Sequence, residues 1–223
     1  MKSARMYSPA DKAKKALGKA LTEEMSFYRR TPTTFYRICI PISQYVFLDG
    51  PSYIKFTEVG FMPMYIPDTT MYLNGARLSH YYPGGTRILN LHEDDDEQKA
   101  ENWFETTKQM LKDDILPLLD TIREPKQLIR FLDNLDTRKT HFQIFPWQKV
   151  YIQAYTYAYL GKKSKAISKL KRFRINGGEY ASHAAQDIDE VIELFSQPDF
   201  GTKEYFDNII QLNCRKMKKD SKR

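Results

Sequence analysis

The stretch LHEDDDEQKAENWF, residues 91–104, marks the point where the sequence changes from a strand pattern to a helix pattern. Short aromatic and β-branched runs precede it, whereas apolar residues three and four positions apart follow it. Five consecutive carboxylates stand where the two patterns meet. We predict that Asp94 and Glu97 cap a long amphipathic helix, because carboxylates there accept hydrogen bonds from free N–H groups and face the positive end of the helix dipole.

A metal site is the alternative interpretation of this stretch, because His92 comes just before the five carboxylates. A metal ion needs ligands that converge on it, whereas successive residues at a helix start point in different directions. We therefore predict a helix start, no metal site and no cofactor. Pro117 should bend or break the helix, since it lacks an N–H group and its ring clashes with the preceding turn.

The part before residue 91 predicts one helix and then a sheet. Ser8 and Pro9 have the residue types of an N-cap and a first helical position. Asp49–Gly50 and Asn74–Gly75 predict tight turns or bulges, because these pairs tolerate positive φ. Five or six antiparallel strands are predicted by the runs TFYRICI, QYVFLD, SYIKFTEVG, FMPMYIP, TMYLNGARL and TRILNLH.

The part after Pro125 predicts helices alone, four or five in number, with a break at Gly161 and a helix stop at NGG, residues 176–178. The predicted fold class is α+β: an antiparallel sheet packed with helices, followed by an all-helical C-terminal unit. We place the α+β unit at residues 1–125 and the basic helical unit at residues 126–223.

Composition narrows the class of protein. The 223 residues are 41% hydrophobic, which is enough for a sizeable core. Two cysteines, Cys39 and Cys214, and four histidines argue against a disulfide framework or a zinc cluster and fit a reducing compartment. The sequence shows neither a signal-peptide pattern nor a run of about 18 apolar residues, so we expect a cytoplasmic protein without a membrane partner.

The net charge of +7 is unevenly distributed. Residues 1–125 carry 16 Lys and Arg against 17 Asp and Glu, whereas residues 126–223 carry 19 against 11. The densest basic run makes the strongest candidate partner-binding surface, because clustered cations create a local positive field. Solubility alone is the other explanation of such a run. The run consists of Lys162, Lys163, Lys165, Lys169, Lys171, Arg172 and Arg174.

Catalytic patterns are weak in this sequence. YPGGTR, residues 82–87, lacks the lysine and Ser/Thr of a phosphate-binding P-loop and is typical of a hairpin turn. No serine or cysteine stands in a G-x-S-x-G context. We therefore predict a protein that is not an enzyme and has no catalytic residues. The tyrosines of VYIQAYTYAYL, residues 150–160, predict a buried helix in preference to a base-stacking platform. The four histidines lie in different segments, at His80, His92, His141 and His183.

Residues 146–173 resemble one tetratricopeptide-type helical hairpin. Ala154 and Ala158 match small packing positions, YLGKKSKAI matches the turn with Gly161 and Ala166, and Leu170 continues the apolar stripe. Only one copy is visible, whereas stacked repeats need about three or more. The resemblance therefore implies a hairpin packed on its neighbours and indicates no particular ligand.

Residues of about 10–135 resemble an uncharacterised bacterial domain-of-unknown-function family of small α+β proteins. The resemblance rests on a leading helix, FYR at residues 35–37, ARL at residues 76–78 and ILPLLDTI at residues 115–122. Some such domains serve as immunity or accessory proteins beside secreted toxins, so the resemblance implies an interaction role.

Two functions follow as hypotheses. The first is a non-catalytic interaction protein that binds a protein partner, with an immunity-type factor that neutralises a toxin as one form. The alternative is a nucleic-acid-associated protein that uses the basic C-terminal helices, for which we expect weak binding at physiological salt. The sequence leaves the oligomeric state open.

Overall fold

The computed structural model describes residues 7–49, 54–67, 73–77, 90–135 and 144–219. The fold is α+β, as predicted. Helix α1 (Pro9–Glu23) precedes an antiparallel sheet in the order β1-β2-β3-β4-β5, with β6 paired to the other end of β4. The strands are β1 (Tyr28–Arg29), β2 (Thr34–Arg37), β3 (Ile42–Asp49), β4 (Ile54–Pro63), β5 (Leu73–Arg77) and β6 (Leu91–His92).

The remaining helices follow the sheet in the chain. The first is α2 (Glu97–Met110), continued by a π-helical segment (Leu111–Ile115) and by α3 (Leu116–Asp120). After it come α4 (Pro125–Asn134), α5 (Pro146–Tyr159), α6 (Lys163–Asn176), α7 (Gly178–His183), α8 (Ala185–Ser196) and α9 (Lys203–Lys219).

Helix α1 begins where the sequence predicts. The Ser8 hydroxyl accepts a hydrogen bond from the backbone nitrogen of Asp11 at 3.2 Å, and Pro9 opens the helix. The apolar stripe of α1 packs against α2 and against strands β1 and β2, with Leu17 and Leu21 buried. Gly18 allows this close approach, because a Cβ atom there would lie 2.9 Å from Cζ of Phe35 on β2.

The sheet differs from the predicted strand pattern in two places. Residues 54–63 form one continuous strand, β4, where two separate runs were expected. The Asn74–Gly75 pair makes a bulge, since Val59 pairs with Ala76 and Phe61 with Leu73, so two residues of β5 oppose one residue of β4. Of the other predicted turns, residues 50–53 and the YPGGTR loop lie outside the described residues.

The acidic run starts a helix, as predicted, but the predicted cap is wrong. Asp96 is the N-cap of α2, and its carboxylate accepts a hydrogen bond from the Lys99 nitrogen at 2.8 Å. The neighbouring Asp95 carboxylate accepts from the His92 nitrogen at 2.8 Å and thereby closes a turn before the helix. The helix therefore begins two residues after the expected position, and Asp94 is left exposed.

Pro117 does not break the helix. The chain stays helical from Glu97 to Asp120, with the π-helical segment 111–115 just before the proline. A π-helical turn shifts the hydrogen-bond pattern by one residue, and Pro117 then occupies the first turn of α3, where a missing N–H group is tolerated.

The C-terminal part contains six helices within the described residues, one or two more than predicted. Gly161, with φ +73°, separates α5 from α6, as expected. The predicted stop after α6 is also confirmed, because Gly177 caps the helix and Gly178 has φ +58°. The short helix α7 was missed, since the chain turns at this glycine and becomes helical again at once.

The core extends across residue 125, the predicted boundary between the two units. The rings of Phe61 on β4 and Phe131 on α4 meet edge to face with centroids 5.6 Å apart. Asn213 on α9 donates hydrogen bonds to the backbone oxygens of Met64 and Ile66, at 2.8 and 2.9 Å. Helices therefore pack on the end of β4, and the division into two units stays a prediction.

Within the described residues, no helix has the length and apolar character needed to span a membrane. Cys39 and Cys214 are present as thiols and not as disulfides. Tyr155 and Tyr157 of α5 are buried, so the prediction of a buried helix is confirmed for these two tyrosines.

Candidate functional site

The predicted basic run lies on α6 and on Lys162, the residue just before it. This helix forms an antiparallel hairpin with α5, in which Ala154, Ala158, Ala166 and Leu170 are buried. The hairpin shape expected from the tetratricopeptide resemblance is therefore present. The structure divides the seven cations of the run among several environments.

Two of the seven cations hold α6 to its neighbours. Lys163 donates hydrogen bonds through Nζ to the backbone oxygens of Gln197 and Phe200, at 2.6 and 3.3 Å. Arg174 forms an ion pair with Asp189 of α8, with Nε and Oδ1 3.2 Å apart. Both side chains therefore contribute to helix packing and are less available to a partner.

Three other cations share one face of α6. Lys165, Lys169 and Arg172 are spaced four and three residues apart, which places them on one side of a helix. The ammonium group of Lys165 lies over the ring of Tyr157, 4.3 Å from its centroid, a distance suited to a cation–π interaction. This contact orients the first cation of the face.

A fourth cation, Lys149, comes from the neighbouring helix α5. Burial lowers the pKa of Lys169, the nearby carboxylate of Asp133 opposes this shift, and the positive charges of Lys149, Lys165 and Arg172 add to it. Lys169 is thus close enough to the other three cations to be repelled by them. We call Lys149, Lys165, Lys169 and Arg172 the basic face.

The nearby carboxylate of Asp133 offsets only part of the charge of the four cations. No carboxylate among the described residues lies within 4.0 Å of the charged nitrogens of these four side chains. Asp133, on α4, instead accepts a hydrogen bond from Nε2 of Gln153 at 2.7 Å. Lys149 donates a hydrogen bond through Nζ to the backbone oxygen of Leu135 at 3.4 Å, so it is partly engaged within the chain. The face therefore keeps an excess of positive charge.

The two remaining cations, Lys162 and Lys171, are exposed and are not among the four residues of the basic face. Lys162 precedes the helix, and Lys171 is rotated by about 160° from Lys169 at 100° per residue. The sequence alone missed Lys149, because it stands 13 residues before the run and reaches the face only through the pairing of α5 with α6. No local pattern in the sequence marks it.

A second group of cations surrounds a groove of about 490 Å³ beside α1, lined by Lys12, Lys15, Lys19 and Arg29 among others. Lys12 pairs with Glu97 at 3.4 Å and Lys19 with Glu23 at 3.7 Å. Half of this group is thus neutralised within the chain. The basic face of the hairpin is the stronger candidate for binding.

Clusters suited to metal binding are absent from the part of the chain that the structure describes, where no three His, Cys, Asp or Glu side chains come together. His92 lies in β6, whereas His183 lies in α7, late in the chain. His80 and His141 lie outside the described residues. The acidic run near His92 is used for the turn and cap before α2.

The motifs of the resemblance to small bacterial α+β proteins fall in regular elements. FYR lies in β2, Ala76 and Arg77 lie in β5, and ILPLLDTI runs through the end of the π-helical segment and α3. The family assignment itself stays an expectation. Comparison with protein-family models, with curated proteins and with solved structures finds no significant match to this chain.

Proposed function

We propose that the protein is a non-catalytic interaction protein whose basic face binds an acidic surface of a protein partner. The observation that carries this proposal is a set of four cations from two helices that has no carboxylate within ion-pair distance in the described chain. The repulsion of Lys169 by the other three cations is unfavourable in the free protein. An acidic partner would relieve it and would gain in association rate from the same field.

A protein partner suits this face better than a nucleic acid does. Single strands are usually held by cations interleaved with exposed aromatic rings on which bases stack. Among the cations of the basic face, the ring in contact is Tyr157, which is 5% exposed and lies beneath Lys165, whereas the exposed ring of Phe145 stands before the start of α5 and is not interleaved with the cations. Charge without such a ring supports only weak binding to nucleic acid, independent of its sequence.

An immunity-type factor that neutralises a toxin is the specific form of this proposal. It is supported by the resemblance of residues of about 10–135 to small bacterial α+β proteins. Such a factor acts by covering a surface of the toxin and needs no chemistry of its own. Under this form of the proposal the protein works in the cytoplasm and the partner's contact surface is acidic.

The experiment begins with a pull-down from the native host, followed by kinetics with the purified partner. We compare the double charge reversal K165E/R172E with K171E/R215E, which changes the net charge equally at exposed residues outside the basic face. We expect the first variant to slow association about tenfold at low salt and the second to have a much smaller effect. The difference should shrink at high salt, because ions screen the field.

A nucleic-acid function would give a different result. A gel shift titrated with salt should show only weak binding of DNA or RNA at about 150 mM, without preference for a sequence. Recovery of a defined nucleic acid that stays bound at this salt concentration, with no stable protein partner, would overturn the proposal. Equal association rates for the two double variants would overturn the assignment to the basic face.

A further inference from the structure

The hairpin of α5 and α6 places Lys169 of the basic face level with a buried glutamine. Near the turn of the hairpin, the Lys165 ammonium group lies over the ring of Tyr157, 4.3 Å from its centroid. Lys169 follows Lys165 by four residues on α6, and Gln153 precedes Tyr157 by four residues on α5. Residues four apart on a helix lie on one face. Because the two helices are antiparallel, Lys169 and Gln153 form the next pair along the hairpin.

A carboxylate of a third helix, Asp133 on α4, adjoins this pair. Gln153 is 2% exposed and donates a hydrogen bond through Nε2 to Oδ1 of Asp133 at 2.7 Å. The charge of Asp133 also reaches Lys169. Toward the open end of the hairpin, the rings of Trp147 and Phe173 stack with centroids 6.2 Å apart and keep the two helices in this register. Lys169 is thus a half-buried amine at a fixed place among three helices.

Within the described residues, three cations surround the Lys169 amine. Lys165 and Arg172 lie four residues before it and three residues after it on α6, and Lys149 comes from α5. Burial lowers the pKa of Lys169; Asp133 opposes the shift, whereas the three cations add to it. A lysine that is desolvated beside other cations is a better nucleophile, because more of it is neutral amine. The same cations raise the concentration of small anions around it.

We infer that Lys169 is a site of acylation by acyl phosphates, which are small anionic acyl donors. In this reaction the amine nitrogen forms a bond to the acyl carbon, the bond from that carbon to the phosphate oxygen breaks, and an amine proton leaves with the phosphate. The product is a neutral amide, so the basic face loses one of its four positive charges. The effect of this loss on partner binding rests on the proposed function, whereas the reactivity of Lys169 does not.

Acetylation of the full chain by acetyl phosphate tests this site. Peptide mass spectrometry measures the initial rate at each lysine, at low salt and near neutral pH. Lys171 on α6 and Lys126 on α4 are exposed references. We expect Lys169 to react about tenfold faster than either reference, although its side chain is less exposed. A rate at Lys169 no higher than at the references would overturn the inference.

A pair of double variants tests the contribution of the cations. K165Q/R172Q removes two positive charges beside Lys169 and should bring its rate close to that of Lys126. K171Q/R215Q is the matched control, because it removes the same charge at exposed residues outside the basic face. We expect the control to keep most of the advantage of Lys169. Equal rates at Lys169 in the two variants would overturn the role of the basic face in this reaction.

Asp133→Asn tests the same surroundings in the opposite direction. The variant keeps a side-chain oxygen for the Gln153 amide but removes the negative charge that opposes the pKa shift of Lys169. Lys169 should therefore react faster than in the wild type. An unchanged or slower rate would show that the charges around Lys169 do not control its reactivity and would overturn the inference.

A comparison of donors tests the class of reagent. The N-hydroxysuccinimide ester of acetic acid carries no charge, so we expect it to favour Lys169 less than acetyl phosphate does. Added salt should reduce the advantage of Lys169 with acetyl phosphate, because ions screen the field. An equal preference for Lys169 with both donors would overturn acyl phosphates as its donor class. Since these assays contain no partner, their failure leaves the proposed function standing, and the association rate of K165E/R172E tests that function separately.

Discussion

The hydroxyl groups of Tyr65 and Thr156 lie 2.8 Å apart and join the end of the sheet to helix α5 across 91 residues of sequence. Thr156 donates its own proton to the backbone oxygen of Ile152 at 2.6 Å, so the Tyr65 hydroxyl donates to Thr156. Both residues are fully buried, and burial raises the pKa of Tyr65. The hairpin that carries the basic face is thus tied to the sheet by a buried hydrogen bond.

Replacing Thr156 by valine should therefore destabilise the protein by about 1–3 kcal/mol, because the Tyr65 hydroxyl would stay buried without an acceptor. Thr156→Ser retains the hydroxyl group and is the control, with a loss closer to that of one methyl group. Urea denaturation followed by circular dichroism measures both. A valine variant as stable as the wild type would show that this hydrogen bond contributes nothing net.

Asn213 makes a second buried connection, from α9 to the residues after β4. Its side-chain nitrogen donates to two backbone oxygens, those of Met64 and Ile66. Asn213→Ala should cost about 2–3 kcal/mol, since two buried acceptors lose their donor. Asn208→Ala changes an exposed asparagine of the same helix and should have little effect on the unfolding free energy. Similar losses in the two variants would contradict the importance of the connection.

Because Asp96 and not Asp94 caps α2, alanine substitutions of these two aspartates should change stability by different amounts. Asp96→Ala removes the acceptor for the Lys99 nitrogen and should lower the free energy of unfolding by about 1 kcal/mol. Asp94→Ala removes an exposed carboxylate of equal charge and should change it much less. Thermal unfolding of the two variants, with and without a divalent ion, tests the cap and the predicted lack of a metal site together.

Glu24 predicts a dependence of stability on pH. Its carboxylate accepts hydrogen bonds from Lys108 at 2.8 Å and Lys112 at 2.6 Å, and these contacts lower its pKa from 4.5 to about 2. The folded protein thus binds this proton less tightly than the unfolded chain does. The contribution of Glu24 to stability should be complete above pH 4.5 and should be lost as the pH falls from 4.5 to about 2.

The test compares the wild type with Glu24→Gln across this pH range. Their difference in unfolding free energy should be constant near neutral pH and should decrease in acid, because the wild-type carboxylate becomes protonated. Added salt should reduce the difference as well, since the ion pairs are partly exposed. A difference that does not change with pH would contradict the assignment.

Within the basic run, Lys163 and Arg174 form contacts that support the fold, whereas Lys165, Lys169 and Arg172 belong to the proposed binding face. Lys163→Ala should lower the unfolding free energy by about 1–2 kcal/mol, because the oxygens of Gln197 and Phe200 lose a charged donor. Lys171→Ala is a control on the same helix, where the side chain is exposed. Melting curves of the two variants give the comparison. If Lys163→Ala is at least as stable as Lys171→Ala, Lys163 has no structural role.

Much of the secondary structure followed from local patterns in the sequence. The change near residue 91 from a strand pattern to a helix pattern of apolar residues predicted the α+β class. Gly161 and the NGG stop predicted two helix boundaries. The errors were also local in origin. Asp94 and Asp96 are chemically alike, so only the turn that Asp95 forms with His92 decides which aspartate caps the helix.

The sequence by itself determined which cations share a face of α6, because a helix advances by 100° per residue and Lys165, Lys169 and Arg172 follow that spacing. Only the tertiary structure decided that Lys149 joins them and that Lys163 and Arg174 are used in packing. These relationships depend on how separate helices pack, and packing is set by side-chain contacts between residues far apart in the chain.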